Sequence, residues 1–140
     1  MSQIDEQILG TDVFIPADPN GQLGATPTGD LQLVSGRDNL GQALGRRLRV
    51  RPGGLLHRAG FGVGVMGLLE RANDPTNRAQ LANRGRRNFL RDPRVSEARF
   101  RVEEGRPGDT EPTPDAVTIS AEVEIRYDRT PITVTLIQEV

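Results

Sequence analysis

Hydrophobic residues change rhythm once along this chain, near residue 93. Before that point they recur at helical spacing. Leu40, Ala43, Leu44 and Leu48 fall at i, i+3, i+4 and i+8, one stripe of an amphipathic helix. Ser35-Gly36-Arg37-Asp38 ahead of them has capping-box spacing, and Pro52-Gly53-Gly54 stops the helix. Gly41 and Gly45, four apart beside the stripe, suggest close backbone approach by a neighbour. Leu55–Gly64 reads as a glycine-spaced loop or hairpin and Val65–Arg71 as a short helix. A second long helix is predicted over Pro75–Arg91, with Asp74 as its cap and Pro75 in its first turn. Its inward positions are Leu81, Ala82, Gly85, Phe89 and Leu90. Arg84, Arg87 and Arg91 face outward, with Arg86 beside them.

After residue 93 the apolar positions alternate. Ala98, Phe100 and Val102 share one face of a strand beginning near Ser96, opposite Glu97, Arg99, Arg101 and Glu103. Val117, Ile119, Ala121, Val123, Ile125 and Tyr127 alternate with Thr118, Ser120, Glu122, Glu124 and Arg126. A turn at Asp128-Arg129-Thr130-Pro131 leads to Ile132, Val134 and Leu136 against Thr133 and Thr135. This pattern predicts a one-sided, three-stranded antiparallel meander whose apolar face needs a cover, and the helices are the cover at hand. The expected class is α+β, with two to three helices on one face of a C-terminal sheet. Gly29–Val34 is a candidate short strand. Residues 1–28, punctuated by Pro16, Pro19, Gly21, Gly24 and Pro27, read as an extended N-terminal arm that orders on assembly, leaving 29–140 as the domain. Within the arm, Thr11–Ile15 could be a strand against a partner or the domain edge.

The seam is Leu90-Arg91-Asp92-Pro93-Arg94-Val95. A proline pushes the preceding residue out of the α region, so the helix should stop at Asp92, with Pro93 extended and Arg94 starting the next element. Arg94 at a rigid corner can address a carboxylate on a partner, or close an internal ion pair at a structural helix stop; the local pattern leaves both open. At the other end, Thr133–Ile137 is β-rich and carries no charge, proline or bulge. A free edge of that kind suits strand addition by another chain.

Composition narrows the chemistry. With no cysteine and the single histidine His57, disulfides, thiolate metal sites and multi-histidine sites are excluded. No apolar run is long enough to span a bilayer. The polar, acidic start Met1–Glu6 is unlike a secretory signal, so assembly in the cytoplasm is expected. All 18 basic residues are arginine. Fourteen of them lie between Arg46 and Arg101 against Glu70, Asp74, Asp92 and Glu97, a balance of +10, and the rest of the chain carries −11. Arg46, Arg47, Arg49 and Arg51 suit the negative end of the first helix. Opposite charges in different parts of the chain suit binding surfaces, or internal compensation.

Gly62-Val63-Gly64-Val65-Met66-Gly67 fits G-x-G-x-x-G but lacks a clean strand before it, a parallel crossover and an acid some 20 residues on; glycine-mediated packing explains it better than a nucleotide site. His57 has no nucleophile nearby, and the acids nominate no glycosidase pair. No catalytic, cofactor or metal residue is expected. The basic 75–91 helix could neutralise phosphates, but only 4% of residues are aromatic and acidic flanks oppose nucleic acid.

The order of motifs resembles the phage T4 gene-product-25-like family, the baseplate wedge proteins or sheath initiators of contractile tails and contractile injection systems. The resemblance runs from Gly29 to the C-terminus. It is carried by Gly29-Asp30-Leu31, by Asn39-Leu40-Gly41-Gln42-Ala43-Leu44-Gly45-Arg46-Arg47-Leu48, by Pro52-Gly53-Gly54 in place of a Pro-Gly-Glu, by Phe61-Gly62, and by Asp92-Pro93-Arg94-Val95 in place of a Glu-Pro-Arg motif. It implies a non-enzymatic structural protein in six copies around the tail tube, contacting wedge, sheath, and tube or hub proteins, with no membrane or nucleic acid. The implied wedge contacts are Asp92, Pro93 and Arg94 with Arg87 and Arg91. The implied sheath-accepting strand is Ile132, Thr133, Val134, Thr135, Leu136 and Ile137. Some relatives carry a lysozyme label, so wall degradation stands as an alternative beside the nucleic-acid module.

Overall fold

The computed structural model describes residues 7–16, 22–69 and 73–139. The predicted ends of the arm (1–6), part of its proline-rich stretch (17–21) and the tail of the short helix (70–72) lie outside them. The chain divides into two compact units, Met1–Ala43 and Leu44–Val140, with the boundary inside a helix.

In the first unit, β1 (Thr11–Val13) pairs antiparallel with β2 (Leu33–Ser35), Val13 opposite Leu33. The ribbon is extended by Phe14 N–H donating to Gln32 O and by an isolated bridge between Ala25 and Leu31. Helix α1 (Gly36–Arg49) begins where the capping-box spacing puts it. Leu40, Leu44 and Leu48 are buried as the stripe requires. The glycine expectation fails in α1: a Cβ on Gly41 or Gly45 would meet nothing within 4 Å, so no neighbour approaches there among the described residues.

The second unit holds α2 (Val65–Leu69), α3 (Pro75–Phe89), β3 (Val95–Glu104), β4 (Ala116–Ile125) and β5 (Asp128–Glu139). Asp74 caps α3, its Oδ1 accepting the Asn77 N–H at 2.8 Å, with Pro75 next in the chain. The sheet order is β3-β4-β5, all antiparallel. In β4 the residues Val117, Ile119, Ala121, Val123 and Ile125 are buried. Helix α3 covers the β3 side of that face: the Phe89 and Phe100 rings meet edge to face at 4.6 Å. Close approach is real at Gly85, where a Cβ would sit 2.5 Å from the Phe100 ring. Gly85→Ala should therefore lower stability. The helix-propensity gain of ~1 kcal/mol is set against overpacking of about 1–3 kcal/mol. Urea denaturation measures the balance, and a stabilised variant would show that the ring moves aside freely.

Two boundaries differ from the sequence expectation. Helix α3 ends at Phe89, with Leu90 as its cap, because the Leu90 N–H makes the last helical bond and the next N–H groups return to Asn88 and Phe89. The β4–β5 turn is Arg126-Tyr127, not Asp128–Pro131: Ile125 pairs with Asp128, and Tyr127 is 68% exposed and off the apolar face. The three residues 129–131 form an irregularity opposite Glu124, which lets Pro131 sit inside a strand whose ladder resumes at Ile132.

Candidate partner-binding surfaces

The acid-proline-arginine corner is an internally paired cluster. Asp92 is 2% exposed. Its Oδ1 accepts both the backbone N–H of Arg94 at 3.0 Å and the Arg94 Nε–H at 2.9 Å, while Oδ2 accepts from Nη2 at 2.8 Å. The Val95 N–H closes a turn onto Asp92 O, so Pro93 and Arg94 occupy that turn and the strand starts at Val95. This corrects the expectation of an extended Pro93 with Arg94 starting the next element. Asp92 supplies two local hydrogen bonds that an extended corner would forgo. The β4–β5 turn pins the corner from its other side: Arg126 donates its backbone N–H to Arg94 O and its Nε–H to Pro93 O.

Arg47 completes the cluster. It occupies the α1 stripe three residues after Leu44, and it turns inward. Its guanidinium lies 4.4 Å from the Phe61 ring centroid and its Nε is 3.8 Å from Asp92 Oδ2. Its Nη1 donates to the backbone and side-chain oxygens of Asn88 at 3.4 and 3.3 Å. Asn88 is itself buried. It donates to Gly60 O and Gly62 O and accepts the Gly62 N–H, so one amide ties the 60–62 loop to α3. Gly62 and Gly64, the glycines of the apparent nucleotide motif, have positive φ and lie against the end of α1, where a Cβ would meet Val50 O or Pro52 Cδ. The Val63 N–H between them donates to Arg47 O, and the Gly64 N–H donates to Val50 O. That is packing. The sequence signal for Arg47 was an arginine on an apolar stripe; Asn88 gave none.

The charges are unequal. Burial pushes the Asp92 carboxyl up, but the hydrogen bonds from Arg94, and then the charges of Arg94 and Arg47, outweigh it and hold the group below the ordinary carboxylate range. Burial lowers Arg47; Asp92 opposes this, and Arg94, Arg58 and Arg91 add to it. One buried acid therefore faces an excess of arginines. Beside the cluster an open pocket of about 290 Å³ is lined by Pro52, Gly60, Gly62, Arg84, Arg87, Asn88 and Arg91. The structure thus brings Arg87 and Arg91 together with Arg84 on this pocket, and Asp92 together with Arg94 at the corner.

The proposed strand-addition residues form a distinct surface. The Gly105 N–H donates to Ala116 O, and these two residues stand opposite each other in the β3–β4 register. In an antiparallel ladder, hydrogen-bonded and open pairs alternate. Thr118, Ser120 and Glu122 therefore bond toward β3, and Val117, Ile119, Ala121 and Val123 toward β5. Their β5 partners are Gln138, Leu136, Val134 and Ile132. The backbone groups of Thr133, Thr135 and Ile137 are left pointing away from the sheet, with no strand beyond them among the described residues. Ile132, Val134 and Leu136 are only half-buried, although their β4 partners are fully buried.

Among the described residues there is no cluster of three or more acids and histidines placed to hold a metal, and no helix long and apolar enough to cross a membrane. Hydrogen bonds and neighbouring arginines hold the Asp92 carboxyl, and local hydrogen bonds the Glu97 and Asp115 carboxyls, below the ordinary carboxylate range, the direction opposite to a general acid's.

No sequence-family profile and no curated protein matches the chain. Solved structures share its fold. One is a chain of the anti-feeding prophage baseplate, seen by cryo-electron microscopy with six-fold symmetrisation, with a TM-score of 0.60 over 93% of each chain at 17% identity. Another is a protein from Geobacter sulfurreducens assigned as a tail lysozyme, with a TM-score of 0.53 over 74% of this chain and 89% of that one at 14% identity. The fold of this chain is thus one found in a prophage baseplate protein, in agreement with the gene-product-25-like resemblance of its sequence.

Proposed function

We propose that the chain is a non-enzymatic baseplate component that joins wedge proteins around a tail tube and starts the contractile sheath by offering the outer edge of β5 to the first sheath ring. The observation that carries this reading is the β5 edge. It has three consecutive outward-facing sets of backbone groups, at Thr133, Thr135 and Ile137, backed by an apolar row that its own chain only half covers. Main-chain hydrogen bonds along such an edge give affinity without requiring a particular partner sequence. The likeness to a baseplate chain supports the setting, and the six-fold symmetrisation of that baseplate supports six copies. The protein is assembled in the cytoplasm and used in the particle. Particles made without the chain are expected to carry bare tubes, and adding it back should restore the sheath; sheathed tubes in its absence would overturn the reading.

The corner joins the wedge. Arg94 is held by Asp92 in a two-pronged pair, so its part is to fix the turn that presents Pro93 and the end of α3 to wedge proteins. Arg94→Ala is expected to reduce incorporation of the chain into baseplates several-fold, as read by mass spectrometry of purified particles. Its fold should be retained, because Asp92 keeps the Arg94 backbone N–H and Arg47. Normal incorporation would show that the corner is structural only. The lysozyme alternative, raised by the Geobacter sulfurreducens likeness, is tested by turbidity loss of peptidoglycan suspensions, for which no activity is expected.

A further inference from the structure

We propose that the open pocket beside α3 is the seat of an acidic protein segment, whose carboxylates are gripped by Arg84 and Arg87. This rests on the adaptor reading above and names the chemistry of its wedge-side partner.

The argument starts from which arginines are already used. Arg86 donates to Glu97 at 3.0 Å. Arg78 is held by Asn73 and lies 4.0 Å from Glu104. Arg99 sits between Glu122 and Glu124 at 3.8 Å from each. Arg94 and Arg47 share Asp92. Arg91 donates to Gly60 O at 2.9 Å, which places its guanidinium at the pocket wall. Arg84 and Arg87 are exposed and line the pocket, and neither guanidinium has a hydrogen bond or ion pair among the described residues, a state they share with the exposed Arg49, Arg51, Arg58 and Arg101, which do not line it. Part of the positive charge that the sequence concentrates in residues 46–101 therefore surfaces uncompensated on one face of α3.

That face is short. Arg84 and Arg87 fall at i and i+3, about 5 Å along the axis of α3, and Arg91 follows in the turn after it. Beyond it on α3, Arg86 is paired with Glu97 and Arg78 lies beside Glu104, so the run of free cations on this helix stops there. A nucleic acid needs a longer run of free cations to follow its phosphates, and stacking side chains for single strands are absent from the pocket lining. A peptide with carboxylates one helical turn apart matches the footprint. Guanidinium groups suit it because they take carboxylates with two parallel hydrogen bonds.

The test uses the full chain and a labelled helical peptide with glutamates one turn apart, its glutamine counterpart, and a duplex DNA oligonucleotide, followed by fluorescence anisotropy at low and physiological salt. The glutamate peptide is expected to bind about tenfold more tightly than the glutamine peptide, and the double variant Arg84→Ala, Arg87→Ala to lose about tenfold. Both substitutions are at exposed, unbonded positions, so the melting temperature should not move. Equal affinity for the two peptides, an unchanged double variant, or tighter DNA binding lost in that variant would each overturn the proposal, the last by reassigning the pocket to nucleic acid. Failure of the adaptor reading looks different: peptide binding would persist while particles lacking the chain were sheathed normally.

Discussion

Replacing Asp92 with alanine should destabilise the 44–140 unit by about 3–5 kcal/mol, the cost of removing one partner from a buried charge cluster. The reason lies in what remains. Arg47, with an 11% exposed side chain, and Arg94, at 24%, would lose their shared carboxylate while staying largely out of water. The turn would also lose the acceptor for the Arg94 N–H. A melting-temperature fall on the order of 10–20 °C follows for a protein of this size. Asp92→Asn keeps the shape and one acceptor oxygen, so it should cost less, about 1–3 kcal/mol. The two variants also separate by pH. The folded state holds the Asp92 carboxyl below its ordinary value, so the unfolded chain takes up the proton first. The stabilisation is therefore complete above the unfolded carboxyl value of about 4 and is lost as pH falls from there through the lower folded value. The gap between the wild-type chain and Asp92→Asn should be widest near neutrality and close on acidification below about 4. Urea midpoints across that range measure it, and a gap independent of pH would show that the cluster's charge carries no stability.

The helical stripe and the meander were legible because each repeats one physical requirement many times. Five buried positions in β4, from Val117 to Ile125, all answer to period two. Asp74-Pro75 announced the start of α3 because cap and first-turn chemistry are local. What stayed hidden depends on partners distant in sequence. Arg47 looked like one more cation at a helix end, and only the arrival of Asp92, Asn88 and Phe61 makes its burial favourable. Asn88 gave no signal in the sequence, and its side-chain bonds are to Arg47 and to a loop 26 to 28 residues away. The corner itself was half legible. Pro93 marked the end of the helix, but the competition between an extended proline and a turn closed by Asp92 is decided by a carboxylate short enough to reach the N–H two residues on. Pro131 drew the turn assignment to itself, although the two-residue turn falls earlier and the proline is absorbed by the irregularity opposite Glu124.

That irregularity also makes the strongest test of sheath initiation possible. Pro131 shares parity with Thr133, Thr135 and Ile137, so the chain already tolerates a missing N–H on the outer side of β5. Thr135→Pro repeats the substitution in the middle of the free edge. It removes one outward donor and places a ring in the path of an incoming strand, while the bonds of Val134 and Leu136 to β4 remain. Val134→Pro removes an inward donor instead, and should cost stability through the β4–β5 ladder. If β5 accepts a strand from the first sheath ring, Thr135→Pro particles will contain the protein in normal amount, with a melting temperature within a few degrees of wild type, and their tubes will be bare in electron micrographs. A loss of one central backbone bond together with steric exclusion of the neighbouring residues is enough to prevent docking of a segment this short, because each strand residue contributes only a small net free energy. Thr135→Val, which keeps the donor, should restore the sheath. Fully sheathed Thr135→Pro particles would mean that the free edge of β5 is not where the sheath begins.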